Sequence, residues 1–563
     1  MLWFAEATRQ ADRAAAAAEA RRAPIAVFLV AVGVWWLEAL VMPLAGGRDF
    51  GTYLGAYVEL FQSDPIDLGY VLGRTPVAPL VVGGLLDLAG GVLAEPAVSL
   101  LYAGTITVWF LAARTFGGRA ALLVTVVLIL YPSYWILFHE ISSDTVFAVA
   151  FAGWSLLTVR VLLAPSPARF ALVGAGVALL VLVRPGNQAL LVLAVLPLVL
   201  RLPWRARVAS SLAFATAIVV ILGVWTVHNG VRFGDYTVAR GGNSRLPFER
   251  VFLTERIVRP ENGPASQRLA RAVTRDLLPD EPYRSYSIGL DDFFSDPSPR
   301  MKEDLGALAT RLWGWQSDER ILREVGIEAV QAHPGAYARG VATTVWNLLR
   351  QPVFRPLPAD GGDAAMEAGS GSASLANSAT AGVNGPRLPQ PSEGERIPAP
   401  HEGGPTTPDR SIYTVWTSPT EHHLVFVNPG DEERYQALHR RIEELSDNLP
   451  DRAGNATLAL RLNQSSRWFP PPVLWVVLGL TGLVIRRPTN ALAMSTPAIA
   501  AFIVIVLSAL AIAAIPHYSV PVVPAFFLLG SAAMLAPVRP LGLSHKRGYG
   551  THPTGSTPSR NTS

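Results

Sequence analysis

The chain has 563 residues, of which 50% are hydrophobic and only 16% are charged, and its mean hydropathy is +0.31. This composition leaves too little polar surface for a water-soluble globular protein of this length. Cysteine is absent, which excludes disulfides, thiolate metal sites and thiol nucleophiles.

Ten apolar stretches, one of them interrupted only by Glu38, are spaced along the chain. An apolar segment of roughly 20 residues can cross the hydrocarbon core, where a helix satisfies its own backbone hydrogen bonds. The pattern therefore predicts a polytopic α-helical membrane protein with about ten transmembrane helices. They are predicted at 24–44, 97–113, 120–138, 144–163, 169–183, 186–200, 208–227, 468–485, 490–515 and 518–537.

The positive charge is almost entirely arginine, since only Lys302 and Lys546 among the 47 basic residues are lysine. Clusters of these residues stand at alternate ends of the apolar stretches, and positive charge of this kind marks the cytosolic side of a membrane. We therefore expect a multi-pass cell-membrane protein with both termini cytosolic and no nucleic-acid partner. Segment 1–23 is predicted as a cytosolic helix, and 538–563 as a cytosolic tail.

The segment 76–93 decides the topology of everything that follows it. It contains Asp87, two prolines and two Gly-Gly pairs, which favours a helix in the membrane interface over a further span. A further span would invert the later helices and move most arginine clusters to the opposite face. This alternative stays open at the level of sequence.

The remaining boundaries follow from composition. Segment 24–227 is a transmembrane module with a first outer loop at 45–96, and 468–537 carries three C-terminal spans. Between them, we expect a mixed extracytoplasmic segment at 228–355 and a second one at 411–467, with a strand-like SIYTVWT and an amphipathic helix. The intervening 356–410 is rich in Gly, Pro, Ser and Ala and is predicted to be a disordered insertion.

The first outer loop begins with GGRDFGTYL and brings Arg48 and Asp49 close to the end of the first span. A carboxylate at the membrane surface beside apolar walls would have a raised pKa and could act as a general base. The alternative is a solvated turn aspartate paired with Arg48. Further along, Arg74 heads the interfacial segment and could bind a phosphate through two N–H groups, or simply extend toward lipid headgroups.

The turn after the third span reads HEISSD and places His139, Glu140 and Asp144 at the membrane surface. Asp144 or Ser143 could also cap the next helix. Arg184 lies on the predicted outer side, where positive charge does not serve orientation. It could bind an anion, or it could bind the carbonyl groups at a helix end near Pro185.

Two more segments reach the same predicted face. The seventh span ends with His228 and Asn229, and the last span begins with His517 and Tyr518. A single interfacial histidine is usually structural, but here it accompanies a set of polar residues on one side of the membrane.

Together these motifs resemble the GT-C superfamily of integral-membrane glycosyltransferases, such as aminoarabinose transferases and protein mannosyltransferases. The resemblance is carried by their order: Asp49 after the first span, Arg74 in RTP, Asp144 at a helix mouth, Arg184-Pro185, the exit segment HNGVRFGDYTVARGGN and the final HYSVPVVP. It covers about 1–255, 325–350 and 468–537. Two positions depart from the family pattern, His228 where arginine is usual and Gly73 where some members have an acidic residue.

The resemblance implies transfer of a sugar from a polyprenyl-phosphate donor to a glycan, lipid or protein acceptor on the extracytoplasmic face. Asp49 would be the catalytic base, in a direct displacement that inverts the configuration at the anomeric carbon of the sugar. Arg74, Arg184 and His517 would bind the donor phosphate, and the other candidate site residues are Arg48, His139, Glu140, Asp144, His228, Asn229 and Tyr518. A divalent metal ion is possible but is not required by the sequence.

A transporter or lipid flippase is the alternative class. Its polar residues would line a path across the bilayer and leave charges at mid-span on several helices. Only Glu38 and Asp87 approach that pattern here, so the outer-face set favours an enzyme.

Overall fold

The computed structural model describes residues 2–242, 244–350, 407, 411–416, 422–450, 454–465, 468–511 and 516–537. Helices dominate these residues. The helices that precede the outer segments are α1 (Leu2–Glu19), α2 (Ala23–Ala39), α3 (Phe50–Phe61), α4 (Leu68–Leu72), α5 (Val77–Arg114), α6 (Gly118–Ile129), α7 (Pro132–Leu137), α8 (Ser143–Leu163), α9 (Pro167–Val183), a 3₁₀ helix (Pro185–Val199) and α10 (Trp204–Phe233).

The two segments predicted to be extracytoplasmic, 228–355 and 411–467, are called the first and the second outer segment. Their described residues and those of the C-terminal part are also mainly helical. They contain α11 (Arg245–Glu249), a π-helical turn (Arg250–Thr254), α12 (Pro264–Asp276), α13 (Leu290–Ser295), α14 (Pro299–Trp313), α15 (Arg320–Ala332), α16 (Pro334–Arg350), α17 (Asp431–Ser446), α18 (Ala456–Ser465), α19 (Pro472–Arg486), α20 (Ala491–Ala511) and α21 (Pro524–Leu535), with short 3₁₀ turns at Pro260–Asn262, Trp315–Ser317, Pro516–Tyr518 and Val520–Val522.

Four of the described helices are long and apolar enough to cross a membrane: α5, α8, α10 and α20. The bent pair Asp12–Glu19 and Ala23–Ala39, with an angle of 104°, would add a fifth. The remaining predicted spans correspond to shorter apolar elements, such as α6, α9, α19 and the 3₁₀ helix Pro185–Val199. The structure therefore supports a helical membrane protein, while the count of ten spans stays a prediction.

Helix α5 contains a break at Gly90, whose backbone (φ 58°, ψ −174°) lies in a region open only to glycine. The part before the break contains Asp87, which accepts hydrogen bonds from Tyr57 (2.8 Å), Gln62 (2.7 Å) and Arg441 (2.5 Å). Arg441 belongs to α17 in the second outer segment. These contacts place the first part of α5 against the segment that carries α17, and the interfacial position of 76–93 stays a prediction.

Helix α1 packs against the turn between α5 and α6. Arg119 forms an ion pair with Asp12, and the Glu19 carboxylate accepts a hydrogen bond from the Gly118 backbone N–H at 3.2 Å. An alanine at Gly118 would bring its Cβ to 2.2 Å from the Ala15 carbonyl oxygen, so the close approach requires glycine. The N-terminal helix and the arginines of this turn therefore lie on one side of the protein.

The first outer segment forms a helical core of its own, separate from the transmembrane core. Phe252, Tyr283, Phe293, Leu305 and Val325 are buried within it. In the second, β3 (Ile412–Trp416) pairs antiparallel with β4 (His422–Phe426), and α17 follows. The predicted strand and amphipathic helix of this segment are confirmed. The predicted insertion 356–410, apart from Thr407, and the tail 538–563 lie outside the described residues.

The topology generates the first testable prediction. In a right-side-out membrane vesicle, a cysteine replacing Glu432 in α17 should react with an impermeant thiol reagent before permeabilisation, because the second outer segment is predicted to be extracytoplasmic. A cysteine replacing Ala168 near the start of α9 is the matched control and should react only after permeabilisation. Both side chains are exposed, and the chain has no competing cysteine. The opposite labelling pattern would invert the topology.

Candidate functional site

The site is assembled by a very short backbone bridge between two distant segments. Strand β1 (Ala45–Gly46) pairs parallel with β2 (Glu140–Ile141), and the Ala45 and Gly47 N–H groups donate to the carbonyls of His139 (2.9 Å) and Ile141 (3.0 Å). This bridge brings the first outer loop beside the HEISSD turn.

Asp49 stands directly after this bridge, at the start of α3, in a left-handed conformation (φ 57°). Its carboxylate lies 3.3 Å from Arg74 Nη2 and 3.8 Å from Arg48 Nε. The segment that carries Arg74 is held by Glu59, whose buried carboxyl oxygen accepts from the N–H groups of Ile66 (2.7 Å) and Asp67 (2.8 Å). Asp67 in turn caps α4, which precedes Arg74.

The charge environment of Asp49 corrects one expectation. Burial alone would raise the pKa of its carboxyl, but the guanidinium groups of Arg48, Arg74 and Arg184 outweigh that effect and lower the pKa. The prediction of a raised pKa is therefore wrong. Asp49 is ionised at neutral pH, so it can accept a proton, but the arginines weaken it as a base.

Arg184 lies at the junction of α9 and the following 3₁₀ helix. It forms a second ion pair, with Asp144 of α8. Among the described residues, its side chain binds this carboxylate and no carbonyl at a helix end, which argues against that alternative. Ser142, not Ser143 or Asp144, caps α8 by accepting from the N–H groups of Asp144 and Thr145. The Asp144 carboxylate is thus available to Arg184 and is almost fully buried.

Tyr518 joins the two ion pairs. Its hydroxyl accepts a hydrogen bond from Arg48 Nη2 at 2.9 Å, and its ring centroid lies 5.0 Å from the Arg48 guanidinium and 4.7 Å from that of Arg184. Contacts at this distance between a guanidinium and an aromatic ring are attractive. Two segments more than 330 residues from Tyr518 in sequence are therefore held by one side chain from the last helical region.

Glu140 and His517 face each other beside this cluster, with 3.8 Å between Oε2 and Nε2. Burial, with Asp144 nearby, raises the pKa of the Glu140 carboxyl well above its usual range. Burial, aided by Arg48 and Arg184 and opposed by Asp144 and Asp49, lowers the pKa of His517 to about 4. Both shifts favour the uncharged form, so His517 at neutral pH can make hydrogen bonds but does not carry a positive charge.

Three candidates lie elsewhere. His139 stacks on Trp35 of α2 (ring centroids 4.7 Å apart), with Nε2 3.8 Å from a Glu38 carboxylate oxygen. His228 stacks on Trp225 at 5.1 Å, and the Asn229 side chain donates to the Thr237 carbonyl at 2.9 Å. These contacts hold each of the three side chains near the end of a helix, and a part for them in the site stays a prediction.

The site also contains Tyr53, which the sequence analysis did not identify. The Arg74 guanidinium lies 5.4 Å from its ring centroid, and its hydroxyl hydrogen-bonds the Ser143 side chain. Tyr53 lies one helical turn after Asp49, so the two residues share a face of α3. This spacing of four residues in the sequence could have identified Tyr53 as a neighbour of Asp49.

The described residues show no group of three or more histidine, aspartate or glutamate side chains placed to hold a metal ion. The carboxylates of the cluster are instead paired with arginines. The residues present in this part of the chain do not fit a metal centre.

Comparison with known proteins gives little further information. No protein-family model matches the chain, and no curated protein sequence matches it. Two solved structures of ArnT from Cupriavidus metallidurans are similar at low level. For the apo structure, the identity is 17%, and the match covers 91% of this chain and 77% of the ArnT chain, with a TM-score of 0.31. For the structure bound to undecaprenyl phosphate, the identity is 15%, and the match covers 83% of this chain and 81% of the ArnT chain, again with a TM-score of 0.31. A similarity this weak decides neither the fold family nor the activity.

The backbone bridge generates the second prediction. Alanine at Gly47 would place its Cβ 2.8 Å from Ser142 Cβ and 3.0 Å from Glu140 Cβ, so the two segments must separate. Gly47→Ala should destabilise the protein by about 1–3 kcal/mol, the usual cost of overpacking. Gly104→Ala in α5 is the control, because no atom lies within 4 Å of its Cβ position. Thermal unfolding in detergent measures both, and equal midpoints would show that the close approach is unimportant.

Proposed function

We propose that the protein is a membrane glycosyltransferase that moves a sugar from a polyprenyl-phosphate donor to an acceptor on the extracytoplasmic face. The observation that carries the proposal is the clustering of Asp49, Arg48, Arg74, Asp144 and Arg184 from four separate segments. Buried ionisable groups at the ends of membrane helices are expensive, and they usually serve function. The motif resemblance to GT-C enzymes supports the same class.

The cluster has the chemical groups that such a transfer needs. The acceptor hydroxyl oxygen attacks the anomeric carbon while the bond from that carbon to the phosphate oxygen breaks. The proton of the hydroxyl passes to Asp49, and the bonding electron pair leaves on the phosphate. Guanidinium groups beside the leaving oxygen stabilise the charge that develops there.

A direct displacement agrees with the arrangement around Asp49. Its carboxylate is held by Arg48 and Arg74, which would reduce its nucleophilicity toward the sugar carbon but still allow it to accept a proton. One displacement without a covalent intermediate inverts the configuration of the anomeric carbon. The sugar and the acceptor are not specified by these residues.

The third prediction concerns the base. Asp49→Asn should lower turnover by roughly 10²–10⁴-fold, the usual contribution of a general base, without loss of donor binding. The assay is transfer of labelled sugar from a polyprenyl-phosphate donor in proteoliposomes, with donor binding measured separately. Asp296→Asn, in the part-exposed Arg256–Asp296 ion pair of the outer segment, is the matched control and should keep full turnover. Wild-type turnover in Asp49→Asn would transfer the role of base to Asp144.

The fourth prediction concerns Arg184. Arg184→Ala should weaken binding of the donor and slow departure of its phosphate, because the variant loses a guanidinium that can bond two phosphate oxygens at once. Arg184→Lys should recover only part of the loss, since a point charge does not reproduce the planar fork. Binding titration and single-turnover rates separate the two effects. If the wild-type protein binds no polyprenyl-phosphate sugar, the transporter alternative replaces the enzyme.

A further inference from the structure

We infer that Asp49 and Asp144 compete with the donor phosphate for Arg74 and Arg184. When the donor binds, its phosphate replaces the carboxylates on these arginines, and the same exchange frees Asp49 to act as the base. This inference rests on the proposed function. It adds that both carboxylates weaken donor binding in the resting protein.

The pair at Asp49 is built to be exchanged. Arg74 Nη2 lies 3.3 Å from the carboxylate, and the two side chains are 31% and 28% exposed. A part-exposed ion pair is weak. The phosphate of a lipid-linked donor has two oxygens that can each accept a hydrogen bond from the same guanidinium. It can therefore replace the carboxylate on Arg74.

The arginines also have N–H groups that are not satisfied in the resting protein. Nε of Arg74 and both Nε and Nη1 of Arg48 are buried and have no hydrogen-bond partner among the described residues. Leaving buried donors unpaired is costly, so an oxygen-rich anion at this position would be stabilised. The carboxylate of Asp49 alone does not supply enough acceptors for both side chains.

The second pair repeats the arrangement with greater burial. Arg184 and Asp144 are 15% and 2% exposed, and the Arg184 guanidinium lies 6.0 Å from the ring centroid of Phe147 and 4.7 Å from that of Tyr518. Contacts with two aromatic rings restrict how the guanidinium can move. A phosphate must therefore come to Arg184 and displace the carboxylate there.

The charge count favours an anion of one negative charge. Three guanidinium groups, those of Arg48, Arg74 and Arg184, face the two carboxylates of Asp49 and Asp144. The neighbouring Glu140 and His517 are left out of this count, because burial raises the pKa of the first well above its usual range and lowers that of the second to about 4, and both shifts favour the uncharged form. One positive charge is left over, and a sugar-phosphate diester carries one negative charge. The diester therefore makes the cluster neutral.

The exchange has a consequence for catalysis. Once the phosphate takes Arg74, Asp49 loses its closest cation and gains a negative neighbour, and both changes favour proton uptake. The base thus becomes stronger only when the donor is in place. The acceptor would be activated after donor binding and not before it.

The test is equilibrium binding of a labelled polyprenyl-phosphate sugar, the phosphodiester of the proposed donor, to the full-length protein in nanodiscs at neutral pH. Asp49→Asn and Asp144→Asn should each bind it about three- to tenfold more tightly than wild type, the change expected when a competing ion pair is removed. Asp296→Asn is the control and should bind as wild type. In an Arg74→Ala background, Asp49→Asn should give no tightening, because the competition acts through Arg74.

Two results would overturn the inference. One is binding by Asp49→Asn that is equal to or weaker than that of wild type, and the other is tightening that persists without Arg74. If Asp49→Asn does not fold, as judged by its thermal midpoint, Asp144→Asn makes the same test at the second pair. Absence of binding by the wild-type protein would instead overturn the proposed function itself, so the two failures are distinguishable.

Discussion

The cost of keeping arginine charge away from water is the constraint on which the site depends. A buried guanidinium without a partner is penalised by several kcal/mol, and a carboxylate beside it offsets that penalty only with good geometry. Arg184 therefore requires Asp144, and the mostly buried Arg48 requires Asp49, which the part-exposed Arg74 also approaches. The Arg184–Asp144 and Arg74–Asp49 pairs join separate segments, so they also fix how those segments lie against one another.

The backbone makes this arrangement possible. Two residues on each side pair as parallel strands between the first outer loop and the turn after α7, and glycine is needed where the chains approach most closely. Asp49 then begins α3 and Ser142 caps α8, so both carboxylates stand at helix starts on opposite sides of the bridge. Negative charge is favoured there by the helix dipole.

The outer segments are tied to the membrane helices by a few charged contacts. Arg441 of α17 reaches Asp87 ahead of the break in α5. Arg250, fully buried, donates to the Ala509 carbonyl at the end of α20 and pairs with Glu255. A guanidinium can bind a carbonyl and a carboxylate together because its N–H groups point in several directions. These contacts hold the outer segments against α5 and α20.

The helical membrane class, the strand and amphipathic helix of the second outer segment, and most residues of the cluster could be predicted from the sequence. Hydrophobic length and charge position carry that information locally. Three features required the folded chain: the lowered pKa of Asp49, the contacts of His139, His228 and Asn229, and the position of Tyr53 beside Arg74. A pKa depends on the charges within a few ångströms. Around Asp49, Arg74 and Arg184 come from segments that are distant in sequence, and a local sequence pattern does not show which distant segments come into contact.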